Sequence, residues 1–174
     1  MALNAYIITP VRNDQDFIDI KVLFTAYVEW LDLDLSFQNY QSEMDNIAAR
    51  YGPPTGGIFL ARRTGTGEAL GCVAFKALHL TPSSPSCELK RLYVTPAGRG
   101  LGLGRALGNR AILEARGQGY QVMKLDTLPS KMGAAVKLYE ELGFVECEKY
   151  YDTPLADTKF MELYLEIQQP SDLA

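Results

Sequence analysis

A glycine-rich run at residues 99–105 separates a strand-like apolar segment from a helix-like segment, and it constrains this chain more than any other feature. Its glycines stand at alternate positions, 100, 102 and 104. A tight turn that opens a helix gathers unpaired backbone N–H groups at the positive end of the helix dipole, where phosphate groups bind well. The run therefore predicts a site for a phosphorylated ligand, with a simple glycine-rich surface turn as the alternative.

The spacing of the glycines decides which phosphate-binding motifs fit. The dinucleotide fingerprint needs Gly-x-Gly-x-x-Gly or Ala, and no frame that starts at Gly98, Gly100 or Gly102 has either residue in last place. A P-loop ends its glycine run with Gly-Lys-Ser or Gly-Lys-Thr, whereas here Gly104 is followed by an arginine. What remains is Arg-x-x-Gly-x-Gly on a strand-to-helix turn.

Composition sets the broad class of protein. With 174 residues, of which 47% are apolar and 22% charged, the chain fits one domain with a sizeable core. It has no apolar run long enough for a bilayer and no signal-peptide pattern at its start, so we expect a cytoplasmic protein without a membrane partner. Cys72, Cys87 and Cys147 are widely separated and His79 is the sole histidine, so we expect no metal site.

The charges are unevenly distributed along the chain. The net charge of −4 argues against nucleic acid as a partner, because such proteins need a basic surface. Residues 88–116 nevertheless carry six basic and two acidic side chains, whereas residues 1–60 carry three basic and eight acidic ones. The basic middle suits an anionic cofactor, and the acidic first third suits a cationic amine.

Periodicity and turn residues predict eleven elements in the order β, α, α, β, β, β, α, β, α, β, β. The predicted strands cover residues 6–9, 58–63, 69–77, 86–94, 122–127, 144–150 and 160–167, and the predicted helices cover 14–31, 39–51, 102–118 and 132–142. The second to fourth strands should form an antiparallel meander, and the fifth follows a helix, as in a βαβ crossover.

Three phrases occur in a fixed order: Glu-Leu-Lys-Arg-Leu-Tyr-Val at 88–94, Arg-x-x-Gly-x-Gly at 99–104 and Leu-Tyr-Glu-Glu-Leu-Gly-Phe at 138–144. Together with the element order, they resemble the GNAT superfamily of acetyl-CoA-dependent N-acetyltransferases over nearly the whole chain. Leu-Asp-Thr-Leu-Pro-Ser-Lys-Met at 125–132 resembles a bacterial subgroup of unassigned substrate. The resemblance implies a single α/β (α+β) domain over residues 1–174, with a mixed, mostly antiparallel sheet of about seven strands and about four helices. Its cofactor-binding core would span about 87–144 and its acceptor-side helices about 14–51.

The resemblance also implies how acetyl-CoA is held. Backbone N–H groups from about 101 to 105 would bind the pyrophosphate, residues 92–94 would pair with the pantetheine arm, and the N–H of Leu92 would face the thioester carbonyl as a catalytic group. Many members have an asparagine where this chain has Met132, so the corresponding contact would be missing or would come from Ser130. The predicted cofactor-binding residues are Leu92, Tyr93, Val94, Arg99, Gly100, Leu101, Gly102, Leu103, Gly104, Arg105 and Ser130.

Two side chains match catalytic positions of the family. Glu88 lies where several members keep a glutamate that draws a proton from the amine through water. Because side chains alternate along a strand, we expect Glu88, Lys90 and Leu92 to share the face toward the cleft. The alternative is a surface glutamate paired with Lys90 or Arg91. Tyr139 matches the tyrosine that protonates the departing thiolate, and its alternative is an ordinary core residue.

The function implied is transfer of an acetyl group from acetyl-CoA to a primary amine by direct attack, without metal and without an acyl-enzyme. No cysteine lies at a predicted helix N-terminus or beside the histidine, where a nucleophilic thiolate is expected. The acceptor is a small-molecule or peptide amine bound near Tyr27, Trp30, Phe37 and Glu88, and a homodimer is common in such enzymes. The alternatives are a non-catalytic acetyl-CoA sensor and a nucleotide-binding regulator.

Overall fold

The computed structural model of the chain describes residues 5–34, 39–79 and 84–165. Its strands are β1 (Tyr6–Pro10), β2 (Gly57–Arg63), β3 (Ala69–Leu78), β4 (Ser86–Val94), β5 (Val122–Thr127), β6 (Val145–Glu146) and β7 (Lys159–Tyr164). Its helices are α1 (Asp14–Leu31), α2 (Tyr40–Asp45), α3 (Ile47–Tyr51), α4 (Leu103–Gly117) and α5 (Pro129–Glu141), and a short 3₁₀ turn covers Pro96–Gly98.

The strands form one seven-stranded sheet in the order β1-β2-β3-β4-β5-β7-β6. Every neighbouring pair is antiparallel except β4 and β5, which are parallel and joined through α4. Their parallel register covers only Ser86, Cys87 and Glu88 on β4. Beyond Glu88 the two strands are no longer paired, and side chains from both line a cleft there. The sheet thus confirms the predicted fold class and opens at its one parallel junction.

The two faces of the sheet carry separate apolar clusters. Leu103, Leu107 and Ala111 of α4 pack on one face together with Tyr139 of α5. Side chains of α1 and α3 cover the other face, where Phe24 and other apolar residues of α1 meet Tyr51 and Ile47. Within the described ranges, no helix is both long and apolar enough to cross a membrane.

The cap and the apolar periodicity of α1 explain why its bounds could be predicted from the sequence. Asn13 accepts a hydrogen bond from the N–H of Asp16 at 2.9 Å, which satisfies one of the free donors of the first turn. Ile20, Phe24 and Leu31 then recur on one side of α1 and are buried. The predicted bounds of 14–31 are confirmed.

Three element predictions need correction. The helix predicted over 39–51 is two short helices, because the backbone of Asn46 adopts φ −130° and ψ 31° and breaks the ladder. The strand predicted over 144–150 pairs only at Val145–Glu146. The helix predicted over 132–142 spans Pro129–Glu141, so it begins earlier than predicted. Met132, which lies inside it, has a non-helical φ of −126°. Residues 166 and 167 of the last predicted strand lie outside the described residues.

Candidate active site

The glycine turn between the 3₁₀ turn and α4 is an open, left-handed loop. Gly100 and Gly102 adopt φ angles of +79° and +73°, and a Cβ atom at either position would meet nothing within 4 Å. Gly102 is the N-cap of α4, so the N–H groups of the first turn have no partner within the helix. Leu103 is buried and anchors the start of the helix in the core. The backbone is therefore available to an anion at this turn.

Two arginines flank the turn. Arg99 and Arg105 are both exposed, and the guanidinium of Arg105 forms an ion pair with Glu141 of α5. A Cβ atom on Gly104 would stand 3.0 Å from a methyl group of Leu138, so α4 and α5 approach each other closely here. The turn and the start of α4 thus carry two exposed cations, and the side chain of Arg105 reaches across to α5.

A β-bulge reshapes β4 where it borders the cleft. Tyr93 pairs with Cys72, but Lys90 pairs with Ala74, so Arg91 and Leu92 together stand opposite the single residue Val73. Arg91 adopts φ +58°, a left-handed conformation that is uncommon for a residue with a side chain.

Because of the bulge, one prediction about the side-chain faces of β4 is wrong. Leu92 packs with the apolar cluster under α4 and α5, whereas Glu88 lies opposite Lys76 and faces a cavity on the other side of the sheet. Glu88, Lys90 and Leu92 therefore do not share one face, because the extra residue reverses the alternation between Lys90 and Leu92. Side chains from both faces of β4 therefore lie at the candidate site.

The bulge is tied to α2 by a buried ion pair that the sequence did not indicate. Arg91 donates from Nε and from an Nη to the two carboxylate oxygens of Glu43, at 2.9 and 2.6 Å, and Tyr51 donates to Glu43 at 2.8 Å. Burial alone would raise the pKa of Glu43, but the hydrogen bonds and charge of Arg91 outweigh it and hold the pKa below its usual range. The ion pair connects the bulge to α2 and, through Tyr51, to α3.

Tyr139 lies at the bottom of the cleft between β4 and β5. It is 5% exposed, and its ring packs edge-on against Phe144 at 5.8 Å. Burial raises the pKa of Tyr139 well above that of a free phenol, with Tyr27 and Asp126 adding to the shift. Tyr139 is thus a core side chain and a wall of the cleft at once, and its hydroxyl is protonated at neutral pH.

Met132 stands at the position for which the resemblance leads us to expect an asparagine. The hydroxyl of Tyr27 donates to its sulfur at 3.8 Å, and the hydroxyl of Thr127 donates to the same atom at 3.9 Å. Ser130 is exposed, and its N–H donates to Asp157 at 2.8 Å. Hydrogen bonds from Ser130 lower the pKa of Asp157. Met132 is therefore part of the cleft wall, whereas Ser130 is hydrogen-bonded to Asp157 at the surface.

Glu88 is buried among cations and a phenol. It is 4% exposed and accepts a hydrogen bond from Tyr150 at 2.9 Å, while the amines of Lys76 and Lys90 lie 3.4 and 3.6 Å from its oxygens. Lys90 also lies 3.4 Å from Asp126 at the end of β5. Glu88 is therefore not at the surface, but it does pair with Lys90, as the alternative expected, whereas Arg91, the other suggested partner, binds Glu43.

Of the predicted acceptor residues, Tyr27 and Trp30 stack on each other at 6.4 Å. Tyr27 lines the cleft and burial raises its pKa to about 12, whereas Trp30 is 48% exposed. Phe37 lies outside the described residues. The structure thus brings Tyr27 to the cleft that also contains Tyr139, whereas Trp30 does not line that cleft.

Two of the three thiols are poorly suited to act as nucleophiles. Cys72 and Cys87 are free and buried, and burial raises the pKa of each well above that of a free thiol. Within residues 5–34, 39–79 and 84–165, no group of three or more His, Cys, Asp or Glu side chains is arranged to hold a metal ion.

Comparison with known proteins gives consistent matches. The sequence matches the acetyltransferase (GNAT) family over residues 24–144. It is 42% identical over 156 residues to an uncharacterized N-acetyltransferase of Schizosaccharomyces pombe, covering 90% of this chain and 93% of the relative. It is 38% identical over 103 residues to the N-acetylaspartate synthetase of Danio rerio, covering 59% of this chain and 35% of that longer protein. The fold matches a Salmonella typhimurium protein solved with its cofactor acetyl-CoA, with a TM-score of 0.66 and 24% identity, covering 98% of this chain and 100% of the other.

Proposed function

The chain belongs to the acetyltransferase (GNAT) family, and from this premise we propose that it transfers the acetyl group of acetyl-CoA to an amine in the cleft between β4 and β5. The observation that carries the proposal is the continuity of the glycine turn with the open edge of β4. The turn follows β4 within a few residues, and β4 has no registered partner on β5 beyond Glu88. One elongated molecule with a phosphate group can contact both features.

The chain's own groups suit the parts of acetyl-CoA. Backbone N–H groups of residues 101–105 bind the pyrophosphate, and Arg99 and Arg105 add charge at the exposed edge. The pantetheine arm pairs with the free side of residues 92–94, between the bulge and α5. Tyr139 and Met132 close the bottom of the cleft, where the thioester lies.

The reaction is direct attack of the amine on the thioester carbon within a ternary complex. The C–N bond forms and the C–S bond breaks, while the N–H of Leu92 stabilises the negative charge that develops on the carbonyl oxygen. Glu88 receives the amine proton through a water molecule, and Tyr139 gives its hydroxyl proton to the departing thiolate. The buried, protonated thiols of Cys72 and Cys87 support a route without an acyl-enzyme.

The acceptor is a small-molecule or peptide amine. Similarity to an N-acetylaspartate synthetase supports a free amino acid among the small molecules. In this proposal, residues 87–144 of a single domain bind the cofactor and residues 14–51 border the acceptor, and the enzyme works in the cytoplasm, without nucleic acid or membrane partners.

The experiment that tests the proposal is continuous detection of CoA thiol release from acetyl-CoA in the presence of a panel of amines. We expect release that depends on an amine, together with an acetylated product detected by mass spectrometry. Binding of acetyl-CoA without release for any acceptor would instead show a non-catalytic binding module.

A further inference from the structure

A second cavity, of about 230 Å³, lies beside the cleft on the side of the sheet that α2 and α3 face. Glu88 forms part of its wall and Lys90 borders both this cavity and the cleft. Tyr150 and Tyr151 close it from the segment before β7. Pockets for drug-sized ligands begin at about 300 Å³, so this cavity suits a smaller molecule. It is the acceptor cavity of the proposed reaction, because the proposed base faces it.

The two carboxylates that accompany Glu88 in the cavity wall differ in their surroundings. Glu43 is buried and binds Arg91 through two hydrogen bonds, so it is not free to attract a cationic acceptor. Asp152 is 93% exposed and pairs with the exposed Lys149 at 2.8 Å, so solvent screens its charge.

Other carboxylates of the acidic first third are paired elsewhere. Asp16 and Asp19 both bind the guanidinium of Arg62, at 2.9 and 2.6 Å. Of the acidic residues of this segment that the structure describes, Glu43 is the one in the cavity wall, and it is bound to Arg91.

The charges of the cavity wall balance in number but not in pairing. The described lining carries three positive side chains (Arg50, Lys76 and Lys90) and three negative ones (Glu43, Glu88 and Asp152). Lys76 and Lys90 contact Glu88, and Lys90 also contacts Asp126. Arg50 is the cation of the wall that forms no ion pair in the described part of the chain.

Arg50 also has unsatisfied hydrogen-bonding capacity. Its Nε atom is buried and has no hydrogen-bond partner in the described part of the chain. A buried guanidinium N–H without an acceptor is unfavourable, and a planar carboxylate is the group that matches its geometry best. Arg50 stands at the end of α3, beside Tyr51, which is held by Glu43. The cation is thus built into a rigid part of the wall.

We infer that the acceptor is an amino acid whose carboxylate binds Arg50, with Lys76 nearby, while its amine points toward Glu88. The inference rests on the proposed acetyl transfer and adds the acceptor class and the residue that selects it. An amino acid brings one amine and one carboxylate, and Glu88 and Arg50 in the cavity wall are the groups complementary to them.

The acceptor panel that tests this inference pairs each compound with a neutral analogue. L-amino acids are compared with their α-amides, aspartate with asparagine and glutamate with glutamine, and alkylamines, spermidine and a short peptide complete the set. We expect amino acids to be acetylated with at least about tenfold higher kcat/KM than the matched amides, as loss of a hydrogen bond to a charged group implies. Equal or faster turnover of spermidine or the alkylamines would overturn the inference.

Variants of Arg50 distinguish a role in selecting the acceptor from a role in folding. Arg50→Gln should raise KM for amino acids about tenfold to a hundredfold, leave kcat and the KM for acetyl-CoA close to wild type, and leave the amides unaffected. Arg50→Lys should recover part of the loss. Lys21→Gln, which removes an exposed cation on α1, is the matched control and should change nothing. An equal loss for acids and amides in Arg50→Gln would contradict a role in carboxylate binding.

A binding measurement distinguishes failure of the inferred carboxylate site from failure of the proposed acetyl transfer. Calorimetric titration of the CoA-saturated protein with aspartate, glutamate and their amides reports the carboxylate site without turnover. If no acceptor released CoA, the acetyl transfer itself would fail, while selective binding of the acids that Arg50→Gln abolishes would still support the site. Absence of any such binding would reject the site.

Discussion

The guanidinium of Arg91 forms a two-point ion pair with the carboxylate of Glu43, 48 positions earlier in the chain. Arg91 is the left-handed residue of the bulge in β4, and Glu43 lies on α2. The pair therefore connects the strand that borders the cleft with α2 on the other face of the sheet. Both side chains are nearly inaccessible to solvent, so each charge depends on the other.

Replacing Glu43 with Gln should lower the free energy of unfolding by about 3–5 kcal/mol at pH 7, because it leaves the buried charge of Arg91 uncompensated. Urea denaturation followed by circular dichroism measures this. Glu141→Gln, which removes an exposed partner of Arg105, should cost no more than about 1 kcal/mol. Equal effects of the two substitutions would contradict the energetic role of the buried pair.

The same pair predicts how stability depends on pH. The pKa of Glu43 is lowered in the folded protein, so its contribution to stability is complete above the pKa of the unfolded chain and is lost as pH falls through the folded value. Wild type should therefore lose stability below about pH 4.5 more steeply than Glu43→Gln, with 4.5 being the usual value of the group. Parallel pH curves for the two proteins would exclude this contribution.

Gly102→Val should weaken acetyl-CoA binding about tenfold or more, since a left-handed conformation costs a residue with a Cβ atom about 1–2 kcal/mol and the new side chain would lie in the proposed phosphate site. Gly67→Val is the matched control, because Gly67 has a φ of +75° and equally open surroundings in the turn between β2 and β3. The control should show similar destabilisation with an unchanged KM for acetyl-CoA. A raised KM in both variants would point to general distortion.

Glu88→Gln should lower kcat by about 10²-fold or more at neutral pH, the range typical for loss of a general base. The difference from wild type should shrink above the pKa of the acceptor amine, which then arrives already deprotonated. A pH–rate profile measures both effects. Glu68→Gln, on an exposed glutamate that binds Arg63, is the control and should match wild type. A pH-independent loss in Glu88→Gln would assign Glu88 a structural role.

Tyr139→Phe should reduce kcat while the fold stays intact, because the ring keeps its contact with Phe144 and only the hydroxyl is lost. Burial raises the pKa of Tyr139, so the phenol is protonated below that pKa and should cause no alkaline loss of wild-type activity up to about pH 10, the ordinary value for tyrosine. Tyr120→Phe removes a hydroxyl from the same core cluster, where it binds the carbonyl of Thr55, and should leave kcat unchanged. Comparable kcat values for both variants and wild type would exclude the acid role.

The sequence predicts the bounds of helices and strands correctly where interactions between neighbouring residues determine them. The bounds of α1, β4 and β5 match their predictions, because Asn13 caps the first helix and short apolar runs between turn residues mark the strands. The glycine turn likewise follows from Gly100 and Gly102, whose positive φ angles need residues without a side chain.

The parts of the site that the sequence misses depend on distant contacts. Nothing local marks Arg91 as left-handed, and its partner Glu43 is one of several acidic residues in a helical segment. The acceptor cavity combines Arg50 from α3, Lys76 from β3 and Tyr150 from the segment before β7. Only the folded sheet brings these three together, so their shared surroundings could not be read from spacing.

The most direct test of the central claim is calorimetric titration of the purified chain with acetyl-CoA, with NAD and ATP as controls and Gly102→Val and Gly67→Val as matched variants. We expect one-to-one binding of acetyl-CoA by wild type and by Gly67→Val, weak binding by Gly102→Val, and no comparable affinity for NAD or ATP. Binding of NAD or ATP as tight as that of acetyl-CoA, or acetyl-CoA binding unaffected by Gly102→Val, would contradict the assignment of the glycine turn and the cleft of β4 to acetyl-CoA.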